Sequence, residues 1–136
     1  MIVDYTPVEM LSMGVFGKNY FAADTDFAGY NQEITTLAKQ NVLKYSANSN
    51  YFKAKAGQNY ATWLANGWLF DEDPLGWFQW YCSYYSGRRH MRDDHQIKRY
   101  NSYRARWLSR ARNDIEKKGK TSNVIKQGLL QWGIKI

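Results

Sequence analysis

One segment dictates most of what this chain can become: DPLGWFQWYCSYYSG, residues 73–87. Asp73-Pro74 reads as a helix start, an anionic side chain followed by a residue with preset φ and no amide to leave unsatisfied. Gly87 reads as the stop. Over residues 74–86, at about 100° per residue, Trp77, Trp80, Tyr81 and Tyr84 fall on one stripe. Phe78, Cys82 and Tyr85 form a second stripe beside it. A helix apolar over so much of its circumference belongs at the centre of a fold. Most of its rings are therefore expected in the core, Trp77 and Trp80 above all.

The other elements read as helices packed around that one. In YTPVEMLSMG, Thr6 is the expected N-cap, Pro7 the first helical residue, Glu9 the capping-box acid and Gly14 the terminator. Residues 15–56 mix rings with turn formers, and only 31–43 has a helical period. NYATWLANGW reads as a short helix over 59–66, stopped by Gly67. A longer helix starts at Asp93 or Asp94 and runs to about Lys118, with Ile97, Tyr100, Trp107, Leu108, Ala111 and Ile115 in one arc. Thr121 or Ser122 caps a last helix whose inner face is Ile125, Leu129 and Trp132. No strand pair with a hairpin turn stands out. The expected fold is mainly α, one compact domain over 1–136 with an aromatic-rich core, which suits 136 residues.

Charge divides the chain. Residues 1–73 carry five Lys/Arg against eight Asp/Glu, a net −3, whereas residues 74–136 carry fourteen against four, a net +10. Such asymmetry points to nucleic acid, anionic lipid or an acidic protein as partner. No apolar run approaches the ~20 residues of a membrane span, and the start lacks a basic-then-apolar signal pattern. The single cysteine, Cys82, excludes an internal disulfide and a thiol cluster. The expected setting is intracellular, cytoplasmic or, in a eukaryote, nuclear, with no membrane partner.

The aromatic segment, followed by GRR at 87–89, DDHQIKR at 93–99 and VIKQGLLQWG at 124–133, resembles a family of small uncharacterised proteins of viral and cellular genomes. The family pattern is D-P-x-G-W-F-Q-W-Y-C, then G-R-R, D-x-x-Q-I-x-R and Q-x-L-x-x-W. MLSMGVFGKNYF near the start is similar to the family's opening. The resemblance covers about residues 63–133; it implies one compact domain and confers no chemistry.

Enzyme signatures are missing from the sequence. GVFGKNYF has the wrong spacing for a phosphate loop, and there is no nucleophile elbow. His90 and His95 are five apart, poor geometry for chelation, so no metal and no cofactor are expected. The strongest constellation is Arg88, Arg89 and Arg92 after Gly87, joined by Arg99, Arg106 and Arg110 along the polar side of the next helix. Tyr103 lies beside them as a stacking surface, with Tyr85 a further ring in reach. Guanidinium forks match phosphate oxygens, and an aromatic face accepts a base. Arg104 instead projects from the middle of the apolar arc and needs an anion, with Asp71, Glu72 and Asp73 the first partners to consider. Asp93 and Asp94 read as helix-start carboxylates, and they are also the least weak acid/base candidates. The expected function is a small basic nucleic-acid-binding accessory protein without catalysis. The alternatives are an enzyme acting on nucleic acid or a nucleotide, and an effector docking on an acidic protein surface.

Overall fold

The structure, a computed structural model, describes residues 3–17, 20–21, 25–40 and 73–136. The expected helix over 59–66, residues 41–43, and the carboxylates Asp71 and Glu72 lie outside the described residues. Among those described, the regular elements are helices, and there is no strand. They are α1 (Pro7–Ser12), α2 (Gln32–Lys39), α3 (Trp77–Tyr85), α4 (Asp93–Tyr103), α5 (Ser109–Lys118) and α6 (Asn123–Gln131). A five-residue π segment, Arg104–Leu108, joins α4 to α5.

Local sequence explains most helix ends. Thr6 Oγ1 accepts the Glu9 amide at 3.1 Å while Glu9 Oε1 accepts the Thr6 amide at 2.9 Å, the expected capping box. Asn31 and Ser122 cap α2 and α6 by accepting the amides of Ile34 and Ile125. Gly87, at φ 110°, ends α3. Its amide donates to Tyr84 O at 3.0 Å and that of Arg88 to Ser83 O at 3.0 Å, the paired bonds of a Schellman stop.

The start of α3 corrects the sequence expectation. The helix begins at Trp77, three residues after Pro74, and Asp73 does not cap it. Gly76 occupies the cap position at φ 101°, a region that side chains avoid, and it has no side chain to offer. The orphaned amide of Gln79 is met from elsewhere in the fold, since it donates to Tyr20 Oη at 3.0 Å. That hydroxyl in turn donates to Leu75 O at 2.7 Å, and Gln79 Oε1 accepts the Leu75 amide at 2.8 Å. Asp73 is free for another task, described below.

The two stripes of α3 bury against different parts of the chain. Trp77 stacks on Tyr100 of α4 (5.5 Å between centroids, 13° between planes) and meets Trp132 at 4.9 Å. Trp80 is fully buried, and its indole Nε1 donates to Asp93 Oδ1 at 2.8 Å. On the other flank, Phe78 packs against Phe16, Tyr20 and Phe21 near the start of the chain. Cys82 is fully buried here, and burial pushes its thiol well up, as for a small core hydrophobe. Tyr85, placed on the second stripe by its spacing, is 48% exposed. One hydrophobic cluster runs from Met10 to Ile134 through α3.

The chain's two described ends are tied together. Tyr5 N donates to Gly133 O at 3.1 Å, and Tyr81 Oη donates to Tyr5 O at 2.8 Å. Gly133 has φ 70°, and a Cβ there would lie 2.5 Å from Val3 Cγ1, so only glycine lets these segments approach. Asp4 Oδ2 accepts both Arg104 Nη1 at 2.8 Å and the Lys135 amide at 2.9 Å. Arg104 thus finds the carboxylate its place demanded, but on Asp4, beyond the reach of any argument from neighbouring sequence.

That junction gives a pH dependence. Burial pushes the Asp4 carboxyl up, but the bonds from Arg104 and Lys135 outweigh it and hold its pKa below the usual carboxylate range. The Thr121 hydroxyl and Arg110 likewise hold Asp114 low. A carboxylate with a depressed folded pKa contributes stability above its unfolded pKa, and that contribution is lost as pH falls through the folded value. Denaturant midpoints of the wild type should therefore drop on acidification from about pH 5 to about pH 2. Asp4→Asn should be less stable at neutral pH and should lose less over the same interval. Parallel acid limbs for the two proteins would contradict the Asp4 account.

Candidate nucleic-acid interface

Six of the described arginines separate into those matched to a carboxylate and those laid over a ring. Arg88 Nη1 and Nη2 donate to Asp73 Oδ1 and Oδ2 at 3.0 and 2.7 Å, a two-pronged pair. The Asp73 side chain is only 3% exposed. The guanidinium expected to meet phosphate is therefore a bolt between the turn before α3 and the turn after it. Arg104 is paired with Asp4, and Arg110 meets Asp114 at 3.3 Å one helical turn away. The Arg110 side chain remains 57% exposed, so its charge still faces water.

Three other arginines have no carboxylate partner among the described residues. Arg89 lies 3.9 Å over the Tyr84 ring and donates to the carbonyls of Tyr84 and Arg88. Arg99 donates to Gln96 Oε1 at 3.0 Å and sits 5.5 Å over the Trp132 ring. Arg106, exposed, sits 5.0 Å over the Trp107 ring. Cation–π contact holds a guanidinium in place without cancelling its charge. Burial lowers the Arg99 pKa, but an arginine stays protonated at neutral pH.

Tyr103 is placed differently from the sequence expectation. It is partly buried and stacks on Trp132, with centroids 4.8 Å apart and planes at 14°. Burial pushes its hydroxyl up to about 12. One face of the ring expected to receive a base is covered by Trp132. In its place the structure brings up two rings that sequence reasoning put on inner faces, Trp107 and Trp132, both only partly buried. Rings and cations run together along α4 and the π segment: Arg99 over Trp132, Trp132 on Tyr103, Tyr103 at 6.3 Å from Trp107, and Arg106 over Trp107. A straight helical wheel separates Arg106 from Trp107. Both lie within the π segment, whose wider turn sets neighbouring side chains at a smaller angle around the axis. The adjacent RARW at 104–107 was the only signal in the sequence, and it carries no phase.

The two acid/base candidates are placed differently from one another. Asp93 is 8% exposed, and both its oxygens are engaged, one by Trp80 Nε1 and the other by the His90 amide at 2.8 Å. It opens α4 and anchors a core indole. Asp94 is exposed beside it, and Arg92, exposed, precedes α4 with its amide donating to His90 Nδ1 at 3.2 Å. Among the described residues no three His, Cys, Asp or Glu side chains gather as a metal site. No helix among them is long and apolar enough to cross a membrane. Compared with protein families, curated proteins and solved structures, the chain matches none.

Proposed function

We propose that the protein binds nucleic acid without catalysing a reaction on it, through the surface of α4, the π segment and α5, and works inside the cell as an accessory protein. The observation that carries this is the run Arg99–Trp132–Tyr103–Trp107–Arg106, in which two cations with no carboxylate partner among the described residues flank three partly buried rings. Phosphates attract guanidiniums whose charge is not already spent, and a net +10 over 74–136 adds a favourable long-range field. Arg92 and Arg110, both exposed, are assigned to the same contact set, and Arg89 adds a cation just past the end of α3. Arg88, bound to Asp73, supports the fold and leaves the contact set. The same surface would also suit an acidic protein, but rings add nothing specific to a carboxylate, whereas they match bases. Asp93, fully engaged in holding Trp80 and the turn before α4, argues against the enzymatic alternative. Membership in the family that shares the aromatic and G-R-R pattern belongs to the same proposal.

Fluorescence anisotropy with short labelled oligonucleotides at several salt concentrations tests it. Affinity should fall steeply with salt and vary little among unrelated sequences. Arg89→Ala and Arg106→Ala should each weaken binding and flatten the log–log salt slope by about 0.7–0.9, one phosphate contact. Both side chains are exposed, so stability should move by no more than about 0.5 kcal/mol for Arg106→Ala and about 1 kcal/mol for Arg89→Ala, which gives up two bonds to carbonyls. Absence of binding at low salt would end the proposal and favour the acidic protein partner.

A further inference from the structure

Resting on the nucleic-acid reading, we infer that the partner is single-stranded and that an unpaired base stacks on Trp107, with Arg106 beside it on the phosphate. A base needs an aromatic face that the fold has not already covered. Trp77 and Trp80 are in the core, at 5% and 0% exposure. Tyr84 has Arg89 at 3.9 Å on its ring and Trp80 at 4.9 Å. Tyr103 and Trp132 cover one another, and Trp132 also meets Trp77 at 4.9 Å. Trp107 differs. Its one ring neighbour among the described residues, Tyr103, is 6.3 Å away and tilted by 40°, too far and too inclined to occupy its face.

What lies over Trp107 is the Arg106 guanidinium, 5.0 Å from the ring centre on an exposed, flexible side chain. A base arriving at the indole has two outcomes with the same chemistry. It displaces the guanidinium, which turns to the phosphate of that nucleotide, or it stacks with the guanidinium and indole as one layered set. Either way the site takes a nucleobase together with its phosphate. A duplex does not fit this arrangement, because its bases are paired and stacked inside, leaving only phosphates for the arginines. Arg99 sits about 12 Å further along the helix axis, eight residues at about 1.5 Å each. It can hold the backbone of the same strand beyond the stacked base.

The test compares the full chain and its variants on a labelled oligothymidylate of about 20 nucleotides and on a mixed-sequence duplex of similar length. The wild type should prefer the single strand. Trp107→Leu, which keeps an apolar side chain for packing, should bind the single strand roughly 5- to 150-fold more weakly. Its duplex affinity should fall far less, and its salt slope should stay near that of the wild type, because no phosphate contact is lost. Trp107→Phe, retaining a π face, should recover most of the loss; melting curves of both variants confirm a folded protein. Equal wild-type affinity for both probes, or a neutral Trp107→Leu, would overturn the stacking site while the nucleic-acid reading stands. Binding to neither probe would overturn both.

Discussion

Replacing Trp80 with alanine should cost about 3–5 kcal/mol, a large share of the roughly 5–15 kcal/mol that holds a domain together. Trp80 is fully buried at the centre of α3, so truncation opens a cavity that its neighbours cannot fill. The loss also strips Asp93 Oδ1 of the donor 2.8 Å away, leaving a carboxylate that is 8% exposed partly unsatisfied. The two costs add at one site, and the second reaches the first turn of α4. Trp80→Phe separates them: it keeps most of the volume, removes the indole N–H, and should fall between wild type and Trp80→Ala. Thermal or urea unfolding followed by tryptophan fluorescence reads all three. A Trp80→Ala protein melting with the wild type would mean α3 is not the centre of the fold.

Arg88→Ala should destabilise by about 3 kcal/mol, the low end for breaking a buried pair, because the arginine side chain is 31% exposed. The damage lies in what remains, an Asp73 carboxylate at 3% exposure with neither of its two guanidinium bonds. Asp73→Asn combined with Arg88→Ala removes the stranded charge and should recover part of the loss in a double-mutant cycle. Where Arg89→Ala lowers affinity and the salt slope with little loss of stability, Arg88→Ala should lower stability. The folded fraction should keep the wild-type salt slope. The reverse pattern would return Arg88 to the phosphate-contacting set.

Neighbouring arginines in different settings, Arg88 locked to Asp73 and Arg89 laid over Tyr84, show where sequence reasoning stops. The periodicity of residues 77–84 was enough to place Trp77 and Trp80 in the core, because burial of a helix follows from its own pattern. The capping box of Thr6 and Glu9 and the Gly87 stop were equally legible, being short-range chemistry. Asp73 and Pro74 misled, because Gly76 and the distant Tyr20 hydroxyl supply the start of α3, and no local pattern encodes a partner so far away. Arg104 was legible as a charge in need of an anion but not as the partner of Asp4, 100 residues away in sequence. In the basic face, composition identified the helix and not the rings that lie beside its arginines. The π segment shifted the helical phase at Arg104–Leu108, and Trp132, beyond the end of α6, took the face of Tyr103. Near the end of α5, Asp114 turns inward to Thr121 at 2.9 Å, while Ile115, expected inside, is 40% exposed.

The division between core rings and binding rings is the central claim, and the indole N–H resonances report it directly. Trp77 Nε1 donates to Gln96 O at 3.3 Å and Trp80 Nε1 to Asp93 Oδ1 at 2.8 Å, both within the core. Proton–nitrogen correlation spectra of the protein labelled with nitrogen-15, with each indole signal assigned by a Trp→Phe variant, should be recorded during titration with a single-stranded oligonucleotide. The Trp107 signal, and to a lesser degree that of Trp132, should shift progressively with added strand, while those of Trp77 and Trp80 stay in place. Saturable shifts confined to Trp77 and Trp80, or none at Trp107 when binding is complete, would contradict the account.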